Sequence, residues 1–398
     1  MTKSRKVLGM VVAVPLVLAA CAQAPVGGTG APAAPVEVTR IVEVTREVEV
    51  TRIVEATPEP GGAAAPTPAP AAPAVASGFG ETLKAIKARD KLICGVNSQV
   101  PGFGFVDSAG AFSGFDIDFC KALAAAIFND VSKIEYRPLT AEQRFAALQS
   151  GEIDVLIRNT TWTLTRDTDN GGNFVATTFY DGQGIMVPKD ANVTKLEDLN
   201  GATICVQKGT TTELNLADQM AARGIQYTPA VFEDANGTFG AYAEGRCDAV
   251  TTDKSGLVSR RSVLPTPEDH VILDITLSKE PLGPMVRHGD EQWFDIVQWT
   301  VFATFAAEEF GITSENVDSV IANDTRPEVK RLLGADEKVD LGAKLGLSKD
   351  WAVNIIKAVG NYGEIYDRNL GPNTKTAIPR GINSLYANGG LLYAPPFR

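Results

Sequence analysis

This chain of 398 residues has few histidines and cysteines, and its net charge is negative. Only two histidines, His270 and His288, are available, and no two of the five cysteines have the short spacing of a zinc site. The formal net charge is −11, which argues against a nucleic-acid partner because phosphate binding requires clustered Lys and Arg. The sequence therefore predicts no metal centre, no other cofactor and no nucleic acid.

The first 20 residues have the three parts of an export signal. A basic start at Lys3, Arg5 and Lys6 precedes an apolar run that ends in LAAC, whose last residue is Cys21. The run is short for a membrane-spanning helix, and LAAC is similar to a bacterial lipobox, the signal for cleavage before a cysteine that receives lipid. We therefore predict a lipoprotein signal at residues 1–20, with an uncleaved membrane anchor as the alternative. Either one places the body of the chain outside the cytoplasm.

Removal of the signal would make the chain more acidic. The signal contains three basic residues and no acidic one, so the net charge would change from −11 to about −14. This balance does not oppose an anionic ligand, because a local pair of arginines can dominate the potential of a small cleft.

Residues 21–80 do not have the composition of a folded domain. Pro, Ala and Gly dominate both ends, and such sequences bury too little surface to offset chain entropy. The middle repeats VEVTRI, VEVTRE and VEVTRI, so valines alternate along one side of an extended chain. We expect a stalk that holds the folded part off the membrane, with self-pairing of the repeat as the alternative.

The stretch IDVLIRNTTWTLTRD, residues 153–167, combines a strand pattern with a dense group of polar side chains. Its apolar start predicts a strand buried on both faces of a parallel sheet. Arg158, Asn159 and Thr161 follow, and Arg166 comes soon after. Loops beyond the carboxyl ends of such strands hold small ligands, and Arg binds carboxylates through paired hydrogen bonds. The stretch predicts an anion site, although surface ion pairs and a helix cap would explain the same residues.

Alternating strand and helix patterns predict an α/β fold with two lobes. Residues 81–184 supply strand–helix units of a first lobe, residues 185–280 repeat them in a second, and residues 281–398 return to the first lobe with a C-terminal extension. In each lobe a short strand beginning with Asp ends in polar residues, GEIDVLIRN in one and GRCDAVTTD in the other. Asp253 closes the second motif, where it would either bind a ligand or cap the next helix.

A second candidate anion site lies at a helix start. Thr210 and Glu213 have the spacing of a capping box, and Thr211 lies between them. The free N–H groups in the first turn of such a helix attract an anion.

Four cysteines remain if Cys21 carries lipid: Cys94, Cys120, Cys205 and Cys247. An even number in an exported protein favours disulfide bonds, and three connectivities are possible. Only pairing within each lobe leaves the two lobes free to move. We therefore predict Cys94–Cys120 and Cys205–Cys247.

Several motifs resemble those of one protein family. GFDIDFCKALAAAI resembles the signature of the family 3 extracellular solute-binding proteins, which deliver amino acids to ABC importers. The general L-amino-acid-binding branch is similar over roughly residues 81–398, in RNTTWTLTRD, VQKGTTTELNLAD, GRCDAVTTD, KEPLGPMVR, WAVNIIKAVGNYGEIYDRN and YAPPFR. The resemblance implies the type II periplasmic-binding-protein fold, in which two lobes joined by two crossovers close over one amino acid. It also implies an ABC permease as the partner, and we expect a monomer.

The resemblance also implies roles for individual residues. Arg166 matches the arginine that binds the α-carboxylate of the ligand, and Thr211 matches the carboxylate contact of the second lobe. Asp253 matches the acid that receives the α-ammonium group. Thr161 and Asn159 match polar contacts from the first lobe.

Two positions depart from the family pattern. Arg158 stands where many relatives have a small serine, and Val100 replaces an aromatic that covers the ligand in some relatives. We interpret Arg158 as biasing the side-chain pocket towards Asp, Glu, Asn and Gln, although the general branch implies a broad range of amino acids.

Two other functions remain open for this fold. A cyclohexadienyl-type dehydratase needs a general acid in the cleft, which Glu213 or Asp253 would supply only if free of capping and ammonium binding. A ligand-sensing domain of a receptor or cell-wall enzyme is the other, and the sequence shows neither a second transmembrane run nor an appended catalytic domain to favour it. We expect a binding protein without catalytic residues.

Overall fold

The computed structural model describes residues 79–398. The predicted signal, Cys21 and the VEVTR repeat lie outside these described residues. The strands are β1 Leu92–Val96, β2 Gln99–Val100, β3 Gly104–Val106, β4 Phe112–Ser113, β5 Ile134–Pro138, β6 Val155–Leu156, β7 Gly172–Phe174, β8 Phe179–Asp181, β9 Gln183–Pro188, β10 Thr203–Gln207, β11 Thr228–Phe232, β12 Ala249–Asp253, β13 His270–Ile272, β14 Glu280–Leu282 and β15 Met285–Arg287. The α-helices are α1 Glu81–Arg89, α2 Phe115–Phe128, α3 Gln143–Gln149, α4 Leu164–Asp169, α5 Thr211–Ala222, α6 Ala235–Ala243, α7 Lys254–Arg261, α8 Glu291–Glu309, α9 Val317–Asn323, α10 Pro327–Leu332, α11 Leu341–Leu345, α12 Trp351–Val359 and α13 Tyr362–Leu370.

Two five-stranded sheets with matching strand orders form the two lobes. The first sheet has the order β5-β1-β6-β15-β7, and the second has the order β11-β10-β12-β9-β13. In each, three parallel strands come first, and an antiparallel strand then pairs with the third of them. The predicted two-lobed α/β fold is confirmed, and the carboxyl ends of β6 and β12 occupy equivalent places in the two sheets.

The chain passes between the lobes twice, and the two passages pair with each other. The strand β8 leads into the second lobe, and β14 leads back. They form an antiparallel two-stranded sheet in which Glu280 lies opposite Asp181 and Leu282 lies opposite Phe179. The lobes are therefore joined by a hydrogen-bonded ribbon, as expected for hinge closure.

Each lobe has its own core. In the second lobe, Ile185 packs with Leu216 on one face of the sheet, whereas its neighbour Met186 packs with Phe239 on the other. Successive strand residues point to opposite faces, so this sheet is buried on both sides. In the first lobe, the C-terminal Phe397 joins the main core, so the closing apolar segment packs there.

Two disulfide bonds each tie a central strand to a neighbouring segment of the same lobe. Cys94 of β1 is bonded to Cys120 of α2, and Cys205 of β10 is bonded to Cys247 just before β12. These are the two pairs that the sequence predicts, and neither bond crosses the cleft.

The structure divides segments that the sequence suggests are continuous. Residues 350–366 resemble one amphipathic helix, but α12 and α13 are separate because Gly360 adopts a φ of +80° and Asn361 begins a new capping box. The apolar pattern of residues 281–286 would suit one strand, but β14 and β15 are separated at Gly283, where a Cβ would lie 2.0 Å from the Ala176 carbonyl oxygen. Within residues 79–398, no helix has both the length and the apolar character needed to cross a bilayer.

Candidate functional site

The six residues predicted to contact a ligand line a single cavity between the lobes. Arg158, Asn159, Thr161 and Arg166 lie beyond β6 on the first lobe, whereas Thr211 begins α5 and Asp253 ends β12 on the second. The cavity lining is Ala141, Arg144, Arg158, Asn159, Thr161, Arg166, Gln207, Thr210, Thr211, Thr212, Thr252 and Asp253. The structure thus brings the candidates together, and their individual roles stay predictions.

The cavity between the lobes is very small. Its volume of about 20 Å³ leaves room for little more than one water molecule. The hydroxyl oxygens of Thr161 and Thr211 are 3.3 Å apart across the cleft, and Arg144 Nη2 donates to the Gly209 carbonyl oxygen at 3.3 Å. An amino acid therefore requires these contacts to separate before it can enter.

Three buried arginines of the first lobe, Arg144, Arg158 and Arg166, give the cavity a strongly cationic side. Arg166 Nη1 donates to the Thr161 carbonyl oxygen at 3.0 Å, and its guanidinium lies 5.4 Å from the centroid of the Phe145 ring. Burial lowers the pKa of Arg166, while the carboxylates of Glu280 and Asp253 oppose the shift. All three guanidinium groups remain charged because arginine keeps its proton in proteins. Their combined positive charge can accommodate one or more anionic groups.

Arg144 was missed by the sequence reasoning. Burial lowers its pKa well below the ordinary value, and the charges of Arg166 and Arg158 add to the shift. The available signal was its place in TAEQRF, at the start of the helix that follows the edge strand β5. Thr140 and Gln143 cap the start of this helix by each accepting from the other's main-chain N–H, and the next side chain, Arg144, enters the cleft.

Arg158 has donors that the protein does not use. It is 3% exposed, and its Nε and Nη1 atoms have no hydrogen-bond partner among residues 79–398. Burial lowers its pKa to about 10, although the nearby Asp116 carboxyl opposes the shift. Burial also raises the pKa of Asp116 to about 7, so this carboxyl neutralises Arg158 only partly at neutral pH. Arg158 can therefore donate to a ligand.

The second lobe presents the start of α5 to the cavity. Thr210 caps this helix by accepting from the Glu213 N–H at 3.1 Å, and Glu213 Oε2 accepts from the Gly209 N–H at 2.9 Å. The first-turn N–H groups and the helix dipole favour a carboxylate here. Glu213 is committed to this cap, which leaves it poorly placed as a general acid.

Asp253 supplies the anionic side. It is 5% exposed and directly precedes α7, but its side chain does not cap that helix. The capping alternative is therefore wrong. Burial raises the pKa of Asp253 well above its ordinary value, and the charges of Asp181 and Glu280 raise it further, whereas the charge of Arg166 and the nearby Asn159 side chain oppose the shift. A ligand ammonium group would stabilise the ionised form of this carboxyl.

Glu280 is a buried carboxylate that the sequence reasoning did not identify. It lies in the returning crossover and is 1% exposed. It accepts hydrogen bonds from Thr161 in the first lobe and from Thr211 at 2.9 Å and Asn215 at 2.8 Å in the second, with Ser278 as a fourth donor. Because the Thr211 hydroxyl proton is directed to Glu280, a ligand carboxylate would meet the N–H groups of α5. The motif KEPLGPMVR gave no indication of these distant partners.

A family model and several known proteins match most of this chain. The model of the bacterial extracellular solute-binding proteins, family 3, matches residues 92–372. The general L-amino acid-binding periplasmic protein AapJ of Rhizobium johnstonii is 55% identical over 317 residues, 80% of this chain and 93% of that protein. The glutamate/glutamine/aspartate/asparagine-binding protein BztA of Rhodobacter capsulatus is 52% identical over 318 residues, again 80% of this chain and 93% of that protein.

A solved structure has the same fold. An ABC transporter periplasmic binding protein from Brucella ovis, with glutathione bound, is 50% identical and has a TM-score of 0.78. The match covers 80% of this chain and 99% of that chain. The type II periplasmic-binding-protein fold expected from the sequence is confirmed.

Proposed function

The chain belongs to the bacterial extracellular solute-binding proteins of family 3, and from this membership we propose that it captures free L-amino acids for delivery to an ABC permease. The observation that carries the proposal is the cavity in which buried arginines of one lobe face a buried aspartate of the other. A zwitterion needs a cation and N–H donors at one end and a carboxylate at the other.

The proposed pose uses both lobes. Arg166 and the first-turn N–H groups of α5 bind the α-carboxylate, and Asp253 receives the α-ammonium group. Asn159 and Thr161, which line the cavity together with Asp253, contribute polar contacts from the first lobe. Since the ligand touches both lobes only when they approach, its binding favours the closed form.

The side-chain specificity is proposed to be broad with a preference for Asp, Glu, Asn and Gln. Arg158 carries unused donors, and Arg144 adds a second buried cation nearby. The name of BztA lists these four amino acids, whereas that of AapJ is general. An apolar side chain would leave these arginines desolvated and unpaired, which costs affinity.

The cleft is proposed to bind and not to catalyse. Glu213 is held by the cap of α5, and Asp253 is assigned to the ligand ammonium group. We further propose export with a lipid on Cys21, a stalk over residues 21–80, lobe boundaries near residues 184 and 280, and a monomer in solution.

Thermal unfolding of the full chain with each of the twenty amino acids tests the proposal. A ligand at about one hundred times its Kd stabilises the folded state by about 2.7 kcal/mol, which raises Tm by several degrees. We expect L-glutamate, L-glutamine, L-aspartate and L-asparagine to give the largest shifts. If no amino acid raises Tm, the proposal fails. Loss of prephenate or arogenate absorbance on incubation with the protein would instead support the dehydratase.

A further inference from the structure

A second cavity lies in the cleft directly beside the proposed amino-acid site. Its volume is about 120 Å³, somewhat less than the roughly 150 Å³ that accommodates a benzene molecule. Its lining is Asn97, Ser98, Gln99, Pro138, Leu139, Thr140, Gln143, Arg158, Gln207, Asp234 and Ala235. The first eight residues belong to the first lobe and the last three to the second, so this cavity is also formed by closure.

The two cavities share a wall. Arg158 and Gln207 line both of them. Beside Arg158, Asn97 of the second cavity donates to Asn159 of the first at 2.9 Å. The two cavities are thus separated by side chains, and Arg158, whose buried Nε and Nη1 atoms have no partner among residues 79–398, lines both of them. A ligand group that accepts a hydrogen bond would use these donors as it passes from one cavity to the other.

The second cavity has the hydrogen-bonding capacity of an amide-binding site. Gln99 and Gln143 use their amide oxygens to accept from main-chain N–H groups, and Gln207 uses its amide nitrogen to donate to the Glu233 carbonyl oxygen. Among residues 79–398, the amide nitrogens of Gln99 and Gln143 and the amide oxygen of Gln207 make no hydrogen bond to the protein, and the exposed Gln143 can also pair with water. A peptide amide offers the matching acceptor and donor.

Contacts between the lobes flank this part of the cleft. Arg260 Nη1 donates to the Gln99 carbonyl oxygen at 2.8 Å, and the Asn236 N–H donates to Gln99 Oε1 at 3.1 Å. Lys208 pairs with Glu142 at 3.1 Å on the other side. The second cavity is therefore bordered by contacts between the two lobes, and its lining residues Pro138 and Gln143 are exposed.

We propose that the cleft accepts L-amino acids whose side chain continues through an amide bond, as in γ-glutamyl dipeptides and N-substituted glutamines. The inference rests on the proposed function, because the α-amino-acid head occupies the first cavity. The amide carbonyl then accepts from Arg158, and the group beyond the amide enters the second cavity among the glutamine side chains. The second cavity thereby extends the ligand range from free amino acids to small γ-glutamyl compounds.

Isothermal titration of the full chain with L-glutamine, N5-ethyl-L-glutamine and γ-L-glutamylglycine tests the inference. We expect at least one extended ligand to bind within about tenfold of L-glutamine. If L-glutamine binds and both extended ligands bind more than a hundredfold more weakly, the second cavity does not serve ligands and only this inference fails. If neither L-glutamine nor any other free amino acid binds, the proposed function itself fails.

Filling the second cavity gives an independent test. Ser98→Leu and Ala235→Leu each add a side chain from opposite lobes, at positions that do not line the first cavity. We expect each to weaken binding of the better extended ligand at least tenfold and to change L-glutamine affinity less than threefold. Ala243→Leu, at an exposed position on the same helix as Ala235, is the matched control and should change neither. Equal losses for both ligands, or no loss for either, would overturn the inference.

Discussion

Replacement of Arg166 by alanine tests the assignment on which the site depends. The side chain is 8% exposed, lies against the Phe145 ring and uses Nη1 on the Thr161 carbonyl oxygen. Its remaining donors are available to the α-carboxylate of a ligand. Removal would leave that carboxylate buried without its main partner.

The expected loss follows from this environment. Truncating one partner of a buried, hydrogen-bonded charge pair costs about 2–5 kcal/mol. Because Arg144 and Arg158 leave two cations lining the same cavity, we expect the lower part of this range. With about 1.4 kcal/mol for each factor of ten, Arg166→Ala should weaken L-glutamate binding by about 30- to 300-fold. Arg166→Lys should recover part of the loss, because it restores the charge without the planar pair of donors.

Isothermal titration measures the effect, and thermal unfolding without ligand shows whether the variant is folded. Arg246→Ala is the control, since Arg246 is exposed and pairs with Glu244 at the surface, where such pairs contribute little. It should bind as the unaltered protein does. A folded Arg166→Ala protein with unchanged affinity would refute the role of Arg166.

The Cys94–Cys120 and Cys205–Cys247 bonds join residues with sequence separations of 26 and 42. Reduction of either bond should lower the free energy of unfolding by about 3–4 kcal/mol. Calorimetry with and without reductant checks this, and an unchanged Tm would contradict it. Asp253 has a raised pKa, and an ammonium ligand favours its ionised form. Ligand affinity should therefore fall as the pH drops below the pKa of Asp253. Binding at such a pH should release the proton of the Asp253 carboxyl. Titrations in buffers of different ionisation enthalpy measure the release; a flat profile would count against Asp253.

The parts of the fold that local patterns encode were predictable from the sequence. The strand before Arg158 and the strand ending at Asp253 have apolar runs bounded by polar residues, and parallel strands place such ends at one edge of a sheet. The cap of α5 by Thr210 was also visible, because capping depends on residues three positions apart.

The features that the sequence did not reveal depend on distant contacts. Glu280 is separated by more than sixty residues from Thr211 and Asn215, so no local sequence pattern predicts its hydrogen bonds to both lobes. In the sequence, Arg144 has the pattern of an ordinary helical residue, and only the fold shows that it lines the cleft. The break at Gly360 was missed because the apolar periodicity continues on both sides of it.

The ribbon formed by β8 and β14 determines how the halves of the molecule can meet. Two independent tethers would let one half slide or swivel against the other, whereas a hydrogen-bonded pair bends far more readily than it shears. Thr161 and Thr211 are fifty positions apart along the chain, yet their hydroxyl oxygens lie 3.3 Å apart across the cleft, and the ribbon limits the directions in which the two lobes can separate. The ribbon therefore keeps the two lobes aligned during repeated ligand capture and release.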